Sequence, residues 1–336
     1  MGLMAVLEVR DLEVSFGPIK ILRGVSFDLD AGETLGVVGE SGCGKSMTGF
    51  AVMGMLQAPG KISAGSIKLE GTELVGMPEK QIRNIRGDRI ALVMQDPFTS
   101  LNPMMRIGDQ IGEAFILHQG MHKKEAWAKA VEMLEKVGVP DPQGAARKFP
   151  HQMSGGQRQR VVIAIAFACK PEVLIADEPT TALDVTTQAQ ILRLIRDLQE
   201  TNGTAVMLIS HDVGAIASIS QKIAVFYGGQ IVEHGPAERV LRHASMPYTR
   251  ALLNALPHAG MTRLESIAGY PPDFSNLPKG CAFSPRCPLR FEKCESAPPL
   301  VSLEAGHKAA CWRAEEVLNM PDGKMLAREA VEHPLP

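Results

Sequence analysis

The stretch Gly39-Glu-Ser-Gly-Cys-Gly-Lys-Ser46 constrains this chain more than any other. It follows an apolar strand pattern, Thr34–Val38, and opens a predicted helix from Lys45 to Leu56. The spacing G-x-x-x-x-G-K-S is that of a phosphate-binding loop set between a strand and a helix. Its glycines let the backbone bend so that several N–H groups converge, and the helix N-terminus adds partial positive charge at the same place. Lys45 is then placed to reach the outer phosphates of a nucleotide, and the Ser46 hydroxyl to ligate Mg²⁺. A loop of this kind implies an α/β fold whose strands present their C-terminal ends to the ligand.

Other strand ends fall into place around it. Residues 6–35 read as strands and turns, with turns at Gly17-Pro18 and Ala31-Gly32. Phe16 sits shortly before the loop and could stack on a base or pack in the core. Ile67–Leu69 and Ile90–Met94 are further strands, the second running into Gln95, a polar residue where a buried strand ends. In Glu172–Glu178 four apolar residues lead to two acids. Paired carboxylates beside bound phosphate need a cation between them. Asp177 therefore fits a Mg²⁺ partner, and Glu178 a general base on the attacking water. Ala205–Ile209 is another buried strand, and His211 follows it at the same edge.

The stretch 104–150 reads as helical, with Trp127, Val131, Leu134 and Val137 at helical spacing and Gly138 as the stop. Met104, Met105, Ile107 and Ile111 suit either its core or a docking face. Ser154-Gly-Gly-Gln157 precedes a long helix, an N-cap arrangement that offers a second helix N-terminus to an anion. Thr187–Gln190 has capping-box spacing for a helix reaching about Gly203, and residues 222–234 read as a hairpin around Gly228-Gly229.

Beyond Gly235 prolines interrupt the pattern, at Pro236, Pro247, Pro257, Pro271-Pro272 and Pro278, and a short helix fits near Tyr248–Leu256. Four of the six cysteines, Cys281, Cys287, Cys294 and Cys311, crowd this stretch. Their spacings match neither the common zinc knuckles nor the ferredoxin run. Four thiols in a loop-rich segment nonetheless argue for a metal centre, zinc or iron–sulfur.

Charge is balanced, with 35 Lys+Arg against 37 Asp+Glu, which gives no bulk argument for a nucleic-acid or anionic-membrane partner. No apolar run approaches the roughly 18 residues of a membrane span. Glu8, Arg10 and Asp11 interrupt the place where a signal peptide's apolar region would lie. The chain is thus expected in the cytoplasm, where six cysteines do not suggest a disulfide framework.

Taken in order, these motifs resemble those of an ABC-transporter ATPase, most closely of the dipeptide/oligopeptide/nickel importer subfamily. The resemblance covers nearly the whole chain. Residues 39–46 match the Walker A loop, Gln95 in Gln95–Pro103 the Q-loop, and Ser154-Gly-Gly-Gln157 the signature. Val173–Asp177 matches Walker B with Glu178 as catalytic base, Ala182-Leu-Asp184 the D-loop, and His211 the switch histidine. Tyr248–Leu253 and Gly280–Pro288 are similar to that subfamily's C-terminal extension. Met153 and Met47 stand where the family more often has leucine and threonine.

The resemblance implies a P-loop NTPase fold: a RecA-like core sheet with an antiparallel β subdomain, a helical insertion and a small irregular cysteine-rich tail. It implies a nucleotide-binding domain over 1–235, with a helical subdomain at about 96–155, and an extension over 236–336. ATP would contact Phe16, Gly39, Glu40, Ser41, Gly42, Cys43, Gly44, Lys45, Ser46, Met47 and Asp177, with Mg²⁺ at Ser46 and Gln95. Glu178, His211 and Gln95 would be catalytic. Ser154, Gly155, Gly156, Gln157 and Asp184 would act in trans on ATP held by a partner ATPase. The four tail cysteines would hold a [4Fe-4S] cluster, with zinc the alternative. Partners would be two transmembrane permeases, a second ABC ATPase (a paralogue, otherwise the same chain) and, indirectly, an extracytoplasmic solute-binding protein. The place of work would be the cytoplasmic face of the inner membrane. The rival reading is a non-transport ABC ATPase acting on nucleic acid through a zinc or redox-sensing tail. Its tail, however, mixes Lys279, Arg286, Arg290, Lys293 and Arg313 with Glu292, Glu295, Glu304, Glu315 and Glu316, without a basic stripe.

Overall fold

Alternating burial builds the first strands of the computed structural model, which describes residues 5–181, 183–255, 267–304 and 306–320. In β1 (Leu7–Phe16) Leu7 and Val9 face the core, then Leu12 and Val14. The phase slips at a bulge where Asp11 takes φ 45°, so the inward face survives one extra residue. β2 (Ile19–Leu29) pairs antiparallel with β1, and β3 (Thr34–Val38) leaves for a second sheet. β4 (Gly60–Leu69) and β5 (Thr72–Glu73) return to complete a four-stranded antiparallel sheet in the order β2-β1-β4-β5.

The second sheet adds β6 (Ile90–Val93), β7 (Val173–Asp177), β8 (Ala205–Ile209), β9 (Lys222–Tyr227) and β10 (Gln230–Pro236). β11 (Val301–Glu304) and β12 (His307–Ala309) complete it, in the order β11-β12-β10-β9-β3-β8-β7-β6. From β9 to β6 the pairing is parallel, and β3, β7 and β8 are buried at every position. Their unbroken apolar runs are what a strand covered on both faces requires. The helix Lys45–Val52 follows β3 and stops short of the expected Leu56, because Gly54 turns the chain at φ 62°. The antiparallel sheet packs over one face of the parallel sheet, and the helical insertion packs with the core on the other.

The insertion consists mainly of helices Ile107–Gln119 and Lys123–Lys136. Ile107 and Ile111 are core residues, whereas Met104 is 83 % exposed. The helix expected to be capped at Thr187 begins earlier, over Val185–Asn202. Its cap is Asp184, whose carboxylate accepts from the Thr187 N–H at 3.0 Å and from its hydroxyl at 2.7 Å. An acidic cap three residues upstream outcompetes the threonine.

The C-terminal extension is less irregular than expected. β12 pairs antiparallel with β10, and β11 with β12, so residues near the chain's end extend the main sheet. Buried Glu233 on β10 welds them together. Its carboxylate accepts from the Met246 N–H at 3.2 Å and lies 2.8 Å from His307 Nε2 on β12. The hairpin around Gly228-Gly229 and the helix Pro247–Asn254 lie where expected. Pro257, Ala182 and residues 321–336 lie outside the described residues.

Candidate nucleotide-binding site

The loop between β3 and the helix Lys45–Val52 floors a cleft of about 580 Å³ at the C-terminal edge of the parallel sheet. Two glycines make the loop possible. At Gly39 (φ 151°) a Cβ would lie 2.4 Å from the Phe226 carbonyl oxygen. At Gly44 (φ 109°) it would meet Leu22 at 2.8 Å. Lys45 is buried, and its Nζ donates to the carbonyls of Gly39 at 2.8 Å and Glu40 at 3.0 Å. The ammonium therefore folds back over its own loop. Cys43 is buried beside it, with Sγ 3.8 Å from Nζ, and burial pushes its thiol up from its ordinary pKa.

The acids of β7 arrive from the neighbouring strand end. Ser46 Oγ donates to Asp177 Oδ1 at 2.9 Å. Burial raises the Asp177 carboxyl above the usual carboxylate range. The Ser46 hydrogen bond and Lys45 oppose that shift, and Glu178 adds to it. Glu178 takes φ 48°, a left-handed conformation that a non-glycine residue adopts only when its surroundings enforce it. Its N–H donates to the Ile209 carbonyl at 2.9 Å, and three side chains hold its carboxylate. Gln95 Nε2 donates to Oε2 at 2.8 Å, Thr181 Oγ1 donates to the same oxygen at 2.9 Å, and His211 Nδ1 lies 3.2 Å from Oε1.

Ser41, Gly42, Gly44, Lys45, Ser46, Met47, Gln95, Glu178 and His211 thus line one cleft, whereas Gly39, Glu40, Cys43 and Asp177, expected with them, do not line it. Thr181 and Ile21 line it too and were not foreseen. Thr181 lies one turn beyond Glu178, and only the carboxylate's need for a second donor points to it. Phe16 is half-buried at the end of β1, its ring against Gly60, and it does not line the cleft. Nor do Ser154, Gly155, Gly156, Gln157 or Asp184. Ser154 caps the helix Gly155–Phe167 in a closed box. Its Oγ accepts from the Gln157 N–H at 3.3 Å, and its own N–H donates to Gln157 Oε1 at 3.1 Å.

The loop is also held from outside the cleft, which sequence reasoning missed. The Tyr248 hydroxyl accepts from the Glu40 N–H at 2.8 Å, and the Arg286 guanidinium grips the Glu40 carboxylate at 2.6 and 2.9 Å.

Comparison with known proteins matches this arrangement. The ABC transporter family model matches residues 22–181, and that of the oligopeptide/dipeptide transporter C-terminal region matches residues 232–294. The oligopeptide transport ATP-binding protein OppD of Salmonella typhimurium is 46 % identical over 319 residues, 93 % of this chain and 95 % of OppD. The chain belongs to the ABC transporter ATP-binding proteins of the oligopeptide/dipeptide type. The dipeptide transport ATP-binding protein DppD of Bacillus subtilis is 44 % identical over 95 % of this chain and 99 % of its own. Among solved structures, the ATP-binding cassette MJ0796, in a dimeric post-hydrolysis state bound to ADP and Pi, superposes with a TM-score of 0.62 at 26 % identity. It covers 69 % of this chain and 98 % of its own. Membership of this family makes the chain an ATPase working in a transporter. No described helix is long and apolar enough to cross a membrane.

This ABC transporter ATP-binding protein gathers Cys281, Cys287, Cys294 and Cys311 around one small cavity, with Phe283, Leu289, Phe291 and Trp312 as its apolar walls. Burial pushes Cys281 up, and it pushes Cys311 up to about 12, with the neighbouring cysteines adding to the shift. Among the described residues no group of three or more His, Cys, Asp or Glu side chains is arranged to hold a metal ion. The expected iron–sulfur or zinc centre is therefore not supported by this geometry, and no chemistry is assigned to it.

Proposed function

We propose that this chain is the ATP-hydrolysing subunit of an importer for dipeptides or oligopeptides. It would work on the cytoplasmic face of the inner membrane with two permeases and a second ATPase. The names of its relatives support the peptide substrate. The arrangement around Glu178 carries the chemistry: one carboxylate held by Gln95, Thr181 and His211 beside the Ser46–Asp177 pair.

In this reading the loop Gly39–Ser46 and Lys45 hold the β- and γ-phosphates. When bound, Mg²⁺ neutralises developing phosphate charge; Ser46 is its ligand, with Asp177 and Gln95 alongside. Glu178 accepts a proton from water as the water oxygen bonds to the γ-phosphorus and the bond to the ADP oxygen breaks. His211 and Gln95 keep Glu178 aimed at that water. Ser154, Gly155, Gly156, Gln157 and Asp184, which lie away from the cleft of their own chain, would complete the site of a partner ATPase. The division into a nucleotide-binding domain over 1–235, with its helical subdomain at about 96–155, and an extension over 236–336 belongs to the same reading. Phe16 would be the base contact in this reading, although it does not line the cleft.

The finer reading of the tail is a metal centre on Cys281, Cys287, Cys294 and Cys311, and its support is that all four face one cavity. Anaerobic purification with iron, sulfide and zinc analysis decides it, and protein free of all three retires it. The function itself is tested by purifying the tagged protein from native membranes in mild detergent. Two polytopic membrane proteins and a second ATPase are expected in the eluate. Nucleic acid or ribosomes in their place would overturn the importer.

A further inference from the structure

We propose that Arg286 and Tyr248 are positioning residues for the phosphate-binding loop. Through them the C-terminal extension sets how tightly the ATPase holds its nucleotide. The inference rests on reading Gly39–Ser46 as the ATP loop.

Glu40 is the loop's second residue, and each of its polar groups is committed. Its carboxylate accepts a two-pronged grip from Arg286, Nη1 to Oε2 at 2.6 Å and Nη2 to Oε1 at 2.9 Å. Its N–H donates to the Tyr248 hydroxyl at 2.8 Å and so points out of the cleft. Its carbonyl accepts from Lys45 Nζ at 3.0 Å. A displacement of Glu40 therefore moves the cation expected to meet the phosphates.

The grip comes from a packed side chain. The Arg286 side chain is 5 % exposed and that of Glu40 21 %, so water screens the pair little. Beyond Glu40, Arg286 donates to the Tyr227 hydroxyl at 3.3 Å and the Ala268 carbonyl at 2.8 Å. Its guanidinium lies 5.9 Å from the ring centroids of both Tyr227 and Phe283. Tyr227, Tyr248 and Phe283 form one aromatic cluster, with centroids 4.5 to 5.4 Å apart. Arg286, on a turn, is thus held by several contacts of its own besides Glu40. When the two are joined, the loop takes its position from the arginine. A planar fork on a carboxylate fixes direction as well as distance, which an ammonium group would not do. Preorganising the loop removes an ordering cost that ATP binding would otherwise bear.

The test titrates a fluorescent ATP analogue onto the full-length chain, as wild type, Glu40→Gln, Arg286→Gln, the double variant, Arg286→Lys and Tyr248→Phe. Either single glutamine variant is expected to weaken binding about tenfold, the scale of one charge-assisted contact. The double variant should bind no worse than the weaker single one, because both lose the same contact. Arg286→Lys should recover only part of the loss, and Tyr248→Phe should weaken binding about threefold. A merely structural role would lower thermal stability without this non-additivity in affinity. Should Arg286→Gln fail to fold, Arg286→Lys combined with Glu40→Gln supplies the same cycle, and losses that simply add there overturn the proposal as well. Single variants that bind like wild type, or losses that simply add, overturn the proposal. Wild-type protein that binds no nucleotide overturns the loop reading itself, and the clamp falls with it.

Discussion

Two helices of this protein begin where phosphate is expected, and they begin differently. The helix Lys45–Val52 starts at Gly44 with no side-chain cap. Its first turn faces a cleft built by the same chain, and a side chain spanning that turn would obstruct the ligand. The helix Gly155–Phe167 starts at Ser154 and is closed by a reciprocal box with Gln157. None of Ser154, Gly155, Gly156 and Gln157 lines the chain's own cleft. A helix end surrounded by its own anion site can stay bare, because the ligand satisfies it. One that waits on another molecule needs a cap to hold its shape meanwhile. In the proposed reading, the bare end serves the chain's own nucleotide and the capped end that of a partner.

The comparison can be sharpened first at the chemistry that only the bare end serves. Glu178→Gln keeps the shape and removes the base. Hydrolysis should fall about 10²–10⁴-fold while ATP binding persists. Normal steady-state turnover in that variant would remove Glu178 from its role. Next, Lys45→Ala should lower nucleotide affinity of the isolated chain by roughly 10²-fold, as loss of a buried charge contact implies. Equilibrium titration reads this directly. Ser154→Ala is the counterpart at the capped end. It should leave that isolated-chain affinity unchanged, cost about 1 kcal/mol of stability, and slow hydrolysis by the assembled pair about tenfold. Equal damage by Lys45→Ala and Ser154→Ala to single-chain binding would break the distinction.

The smallest effect is in pH. The bare end lies beside Asp177, whose carboxyl burial raises, whereas residues 154–157 contain no titratable side chain. A raised pKa means that Asp177 takes up its proton earlier as the solution is acidified. Mg²⁺-dependent ATP affinity should therefore begin to fall at a pH above the ordinary carboxylate value. Asp177→Asn should flatten that limb, and Ser154→Ala should leave its midpoint in place.

Much of the cleft was legible because an α/β sheet delivers residues to one place by rule. Ser46, Gln95, Glu178 and His211 each follow a buried strand or open the helix after it, so finding the strands found the site. The signature helix was legible from its cap. What spacing does not encode is contact between distant segments. Glu40 lies 208 residues from Tyr248 and 246 from Arg286, and no periodicity links them. β11 and β12 are also too short and too exposed in part to stand out from loop. Their strand character comes from pairing with β10. The crowding of cysteines in the tail was visible in the sequence, and their gathering around one cavity was not.

The two late strands have a bearing on how the molecule keeps to itself. β10 carries Ile231, Val232 and Glu233, all buried, and the Val232 carbonyl accepts from the Ala310 N–H at 2.8 Å. With β12 in place, the open margin of the sheet is β11, a four-residue segment with exposed Ser302 and Glu304. A four-residue margin is a short template for another chain, whereas a bare β10 would offer a longer unpaired backbone flanked by apolar side chains. A chain shortened before residue 301 is therefore expected to scatter more light at equal concentration than the full chain, and equal scattering would remove this consequence.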